Sequence, residues 1–107
     1  MNSEFRFPFE KLEVWHLAVD FADYVLNILD SFPPNKYSRV VGQMEAAVSS
    51  IPQNIAEGKG SLFEVMTLSE ILKHRRLIGE KESIEIRERA EIIDRKLHGL
   101  INSLRSR

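Results

Sequence analysis

Apolar residues recur at steps of three and four along nearly the whole chain, and no alternation of useful length occurs at period two. That pattern predicts helices throughout. The first is expected over about residues 9–32. Leu12, Trp15, Val19, Ala22, Leu26 and Leu29 form one seam, and Val14, Ala18, Phe21, Val25, Ile28 and Phe32 form a second beside it. Together they span roughly 200° of the helix, wider than the stripe of a helix packed on one side only. The helix is therefore expected either to be central in a bundle or to bury its second seam against another subunit. Asp20, Asp23, Asn27 and Asp30 take the remaining, wet face.

Phe32-Pro33-Pro34-Asn35 breaks the pattern, since neither proline continues a helix already under way. A second helix is expected over about 36–57, with Tyr37, Val41, Met44, Val48, Ile51 and Ile55 as its seam. Pro52 lies inside this periodicity and removes the N–H that would reach the Val48 carbonyl. Two readings stay open: a kinked helix that continues past Pro52, or a helix ending at Ile51 with a short one starting at Pro52. Gly58 and Gly60 are expected to stop the second helix, because glycine tolerates the conformation of a helix end. Ser61, with Glu64 three residues on, reads as the capping box of a third helix over about 61–76. Gly79 marks the next turn. A fourth helix over about 80–104 carries Ile86, Ala90, Ile93, Leu97, Leu100 and Leu104 at near-heptad spacing. Four helices with short connections predict an all-α fold, an up-and-down four-helix bundle in one domain. At 1.5 Å per residue the third helix is expected to be the shortest, roughly 24 Å against roughly 38 Å for the fourth.

Composition narrows the chemistry. The 107 residues include no cysteine, which excludes disulfides, thiolate metal sites and cysteine nucleophiles. Nothing at the N-terminus resembles a signal peptide and no apolar stretch nears membrane-spanning length, so no membrane partner and a cytoplasmic location are expected. The net charge of −1 makes no overall electrostatic case for nucleic acid. His16 with Asp20 and Glu70 with His74 form i,i+4 pairs, while His98 stands apart, and no seam carries an acidic residue. This is not the Glu-x-x-His pattern of a bundle metal site, so no metal and no cofactor are expected. Ser49 and Ser50 lack a histidine nearby in sequence, and Gly58-Lys59-Gly60-Ser61 lacks the strand and spacing of a phosphate loop. No catalytic residues are expected, and the chain reads as a non-enzyme. Basic residues do cluster. Lys73, Arg75, Arg76, Arg87, Arg95 and Lys96 are candidate nucleic-acid contacts, although helix C-termini and alternating surface charge account for many such residues.

Phe9-Glu10-Lys11-Leu12-Glu13-Val14-Trp15, the run from Ala46 to Gly58 containing Ser49-Ser50-Ile51-Pro52-Gln53-Asn54-Ile55-Ala56-Glu57, Gly60-Ser61-Leu62-Phe63-Glu64 and Leu97-His98-Gly99-Leu100-Ile101 resemble the 23S rRNA intervening-sequence family. The resemblance touches all four helices. It implies an up-and-down four-helix bundle assembling into a homopentameric ring, encoded within bacterial 23S rRNA genes or elsewhere in the genome. Related bundles are accessory proteins of diversity-generating retroelements, where they bind a reverse transcriptase and nucleic acid. The family carries no catalytic residues.

The chain departs from the family at one place. Relatives reach a Gly-Ser-Leu like Gly60-Ser61-Leu62 only after a loop and the first half of a long third helix, whereas here Gly58-Lys59-Gly60 runs straight into it. Some four turns are expected to be missing. That loss is expected either to leave a groove filled by another chain or to make protomers exchange helices. The resulting expectation is a homo-oligomeric scaffold, with RNA, DNA or reverse-transcriptase binding through basic patches as the alternative. Trp15, Phe21, Phe32, Pro52, Gly58 and Gly60 are the expected structural and oligomer residues.

Overall fold

Residues 5–106 are described by the computed structural model. They form α1 (Glu13–Leu29), α2 (Ser38–Gln53), α3 (Gly58–His74) and α4 (Glu80–Arg105), with short 3-10 turns at Pro8–Lys11 and Ile55–Glu57. No strand occurs among the described residues. α1 packs on α2 and α4, α2 on α3, and α3 on α4, which closes the four helices into a bundle.

The first helix begins later than its periodicity suggests. Leu12 is extended at φ −81°, ψ 124°, which separates the Pro8–Lys11 turn from α1. The His16 ring nitrogen Nε2 donates to the Glu10 carbonyl at 2.6 Å and ties the turn to the helix. At the other end α1 stops at Leu29 rather than Phe32. The Ser31 hydroxyl takes the Ile28 carbonyl at 2.7 Å, and Phe32 precedes a proline that disfavours helical backbone before it.

The segment after Ile51 corrects both sequence readings. The helix runs through Pro52 but ends one residue later at Gln53. Asn54 still donates its N–H to the Ser50 carbonyl at 3.0 Å, then turns out of helical space at φ −145°, ψ 85°. The Ile55–Glu57 turn follows, and Gly58 opens α3 in ordinary helical backbone at φ −59°. Gly58 and Gly60 therefore do not terminate α2; both lie in the first turn of α3. Ser61 is not a cap. Its hydroxyl meets that of Ser50 at 2.6 Å. Since Ser50 Oγ already donates to the Ala47 carbonyl at 2.7 Å, Ser61 is the donor of the pair.

α3 has 17 residues, as many as α1 and one more than the 16 of α2, so it is not the shortest helix. α4, with 26, is the long one. α3 ends in a Schellman arrangement. Leu77 N–H reaches back to the Leu72 carbonyl and Arg76 N–H to that of Lys73, both at 2.9 Å, with Arg76 left-handed at φ 61°. Glu82 accepts the Gly79 N–H at 2.9 Å and starts α4.

The core draws on every helix: Ala18, Phe21 and Val25 from α1, Met44, Val48 and Ile51 from α2, Val65 and Leu72 from α3, and Ile86, Ile93 and Leu97 from α4 are all buried. On α1 the burial separates the two seams. The Val14–Ala18–Phe21–Val25 seam fills the core; of the other seam Ala22 and Leu29 are buried, Leu12, Trp15 and Leu26 are half-buried and Val19 is exposed. The second seam thus needs no other subunit to bury it. The first seam is the one left partly open, at Leu12, Trp15, Val19 and Leu26.

Candidate interaction surfaces

An open groove of about 760 Å³ runs along that first seam. Leu12 with Trp15, Val19, Ala22 and Leu26 of α1 form one wall, and Ser49, Pro52, Gln53, Asn54 and Ile55 form the other, with Phe9 at the rim. Asp23 is its only charged lining residue among the described residues. The early end of α2 shapes this place. The backbone leaves helical geometry at Asn54, so Ile55 reaches this wall from the 3-10 turn and not as a further residue of α2.

An aromatic ladder leads away from the rim. Phe9 lies against Trp15 with ring centroids 5.3 Å apart, Phe7 stacks on Phe9 at 5.6 Å, and Phe5 meets Phe7 edge-on at 5.0 Å. All three phenylalanines are exposed, Phe5 to 66%. Phe63 on α3 and Ile84 and Ile92 on α4 are further exposed apolar side chains.

The six candidate basic contacts divide into two groups. Arg87 lies 3.2 Å from Glu70, Arg95 3.9 Å from Glu91, and Lys96 3.0 Å from Glu13, so each has a carboxylate partner. Lys73, Arg75 and Arg76, at the end of α3, make no ion pair with a described residue. The fold brings two more cations to the same end. Lys36 and Arg39 line a depression shared with Leu68 and Ile71, and Arg75 lines its neighbour on the other side of Ile71. Periodicity could not reveal these two, because they lie some 35 residues away in sequence. The up-and-down topology, which sets the start of α2 beside the end of α3, could have.

The electrostatics of this end are uneven in an informative way. Cations at the C-terminus of α3 gain from the helix dipole, which accounts for Lys73 and Arg75 without any ligand. Arg39 sits in the first turn of α2, where a cation meets the positive end of the dipole, and that turn holds no acid. Folding alone does not favour it there.

Of the structural residues, Phe21 is fully buried, Trp15 and Pro52 line the groove, and half-buried Phe32 packs edge-on to Tyr37 at 6.3 Å. Gly58 is buried, while Gly60 has nothing within 4 Å of where a Cβ would stand. His16 bonds the Glu10 carbonyl rather than Asp20, and His74 lies 3.9 Å from Glu70. The described residues hold no group of three or more metal-ligating side chains, and no helix among them is long and apolar enough to cross a membrane. The Tyr24 hydroxyl is pushed above its ordinary value, first by burial and then by Glu85 and Glu82, with Arg89 opposing them. That guanidinium sits 4.5 Å from the Tyr24 ring centroid.

Among known families, one described as 23S rRNA-intervening sequence protein matches residues 10–61, just under half of the chain. No curated protein matches it.

Proposed function

We propose that the chain is a 23S rRNA intervening-sequence family protein and works as a non-enzymatic, homo-oligomeric helical scaffold in the cytoplasm. The family match over residues 10–61 supports membership. The observation that carries the scaffold reading is the groove of about 760 Å³ along α1. A lone chain leaves this apolar seam open while its aromatic ladder is also exposed, and large exposed apolar patches mark interaction sites. Light scattering at micromolar concentration tests the reading: an oligomer, a pentamer if the family's ring is kept, supports it, and a monomer opposes it.

A second reading, contact with RNA or with a reverse transcriptase and its nucleic acid, is favoured by one observation. Lys36, Arg39, Lys73, Arg75 and Arg76 gather at one end of the bundle, and Arg39 stands where the dipole disfavours it. Repetition around a ring would multiply weak contacts. Under this reading, affinity for a labelled RNA falls steeply with salt, and the slope shrinks when Arg39 and Arg75 are changed to Glu. Reversal of Arg87 and Arg95, already paired with carboxylates, has the smaller effect.

A further inference from the structure

We propose that the N-terminal arm of one copy of this chain, Phe5-Arg6-Phe7, docks in the α1–α2 groove of a second copy, with Arg6 facing Asp23. The proposal rests on the homo-oligomer reading and gives it a specific contact. The arm and the groove are complementary parts that a single copy does not bring together. Phe9 closes the rim in its own chain, and the ladder from Trp15 through Phe9 to Phe7 and Phe5 carries the last two rings outward, 51% and 66% exposed.

Size and charge both match. The exposed parts of Phe5 and Phe7 present about 230 Å² of apolar surface. The groove, at about 760 Å³, is in the range of pockets that enclose whole ligands and has room for the two outer rings. Arg6 is the only charge between Phe5 and Phe9, and Asp23 is the only charge among the described residues lining the groove. A nucleic acid is the poorer occupant for these parts. Glu10 and Glu13 lie near the ladder with Lys11, and Asp23 would repel a phosphate in the groove.

Sedimentation velocity on the full chain tests this with four samples beside the unaltered protein: Phe5→Ser/Phe7→Ser, Arg6→Asp, Asp23→Arg, and an equimolar mixture of the last two. The altered side chains are exposed, so circular dichroism should report unchanged helix content. Loss of the two rings weakens self-association at least about 30-fold, the worth of one interface anchor. Each charge reversal weakens it roughly fivefold, and the mixture recovers, because every arm then finds a groove of opposite charge in the other variant. If the phenylalanine variant assembles like the unaltered chain, or the mixture stays as weak as its components, arm docking is wrong while the homo-oligomer stands. An unaltered chain that is itself monomeric removes the scaffold reading as well. If the phenylalanine variant still assembles but loses binding of a labelled single-stranded RNA, the ladder is a base-stacking platform and the proposal is overturned.

Discussion

Gly58 and Leu97 touch so closely that the position excludes a side chain without movement: a Cβ built on Gly58 would lie 2.9 Å from Leu97 Cδ1, with Ile51 Cγ2 at 3.6 Å. This approach sets the start of α3 against α4. Glycine is needed here for space, since its backbone is ordinary helix. Gly58→Ala gains helix propensity but overpacks a core residue that is fully buried. A net loss of about 1 kcal/mol is expected. Leu97→Ala alone should cost about 2–5 kcal/mol. In that background the alanine at position 58 should cost nothing or stabilise, and a denaturant-melt double-mutant cycle reads the coupling. Additive costs would mean that the two residues do not share space.

Arg76 holds the left-handed position of the α3 cap, where glycine is the usual occupant. Arg76→Gly should therefore stabilise the chain by about 1 kcal/mol, the strain of a left-handed L-residue, as measured by urea denaturation. If the basic end binds RNA, the same variant binds it less well despite being more stable. A destabilised Arg76→Gly would mean that the side chain holds the turn in some other way.

The folded state holds the Tyr24 proton more tightly than the unfolded chain does. The native state then binds more protons than the unfolded one above the ordinary tyrosine value of about 10, and stability falls with rising pH there. Below that pH the contribution is complete. Tyr24→Phe should remove this part of the slope, so the stability difference between the two proteins narrows or reverses as pH rises from about 9.5 to 11. A difference that stays constant with pH would contradict the direction of the shift.

The helical class and the core were legible because one rule governs both: buried positions recur at 3.6 residues, and the seams containing Phe21, Val48, Leu72 and Ile93 obey it. The periodicity also flagged α1 as apolar around too much of its circumference. What it could not assign was which seam stays open. That depends on where α2 stops, and α2 stops at Gln53 because Asn54 leaves helical space two residues after the proline. A pattern of apolar residues continues through Ile55 whether or not the backbone does. Gly58, Gly60 and Ser61 misled for a related reason. Each has a common role at helix ends, but here Gly58 provides room for Leu97 and Ser61 bonds Ser50, contacts between residues distant in sequence. The basic end was half visible. Lys73, Arg75 and Arg76 form a run, whereas Lys36 and Arg39 join them only through the fold.

The central proposal is that this chain assembles with copies of itself because α1 keeps Trp15, Val19 and Leu26 in an apolar groove that its own bundle leaves open. Changing Val19, which is exposed within the groove, to Arg places a charge on that seam without disturbing the core. Multi-angle light scattering on the unaltered chain and on Val19→Arg, at matched micromolar concentrations, is the most direct measurement. The expected result is a multiple of 12.4 kDa for the first and a shift towards the single-chain mass for the second, with helix content kept. A single-chain mass for both, or an oligomer that Val19→Arg leaves intact, would contradict the claim.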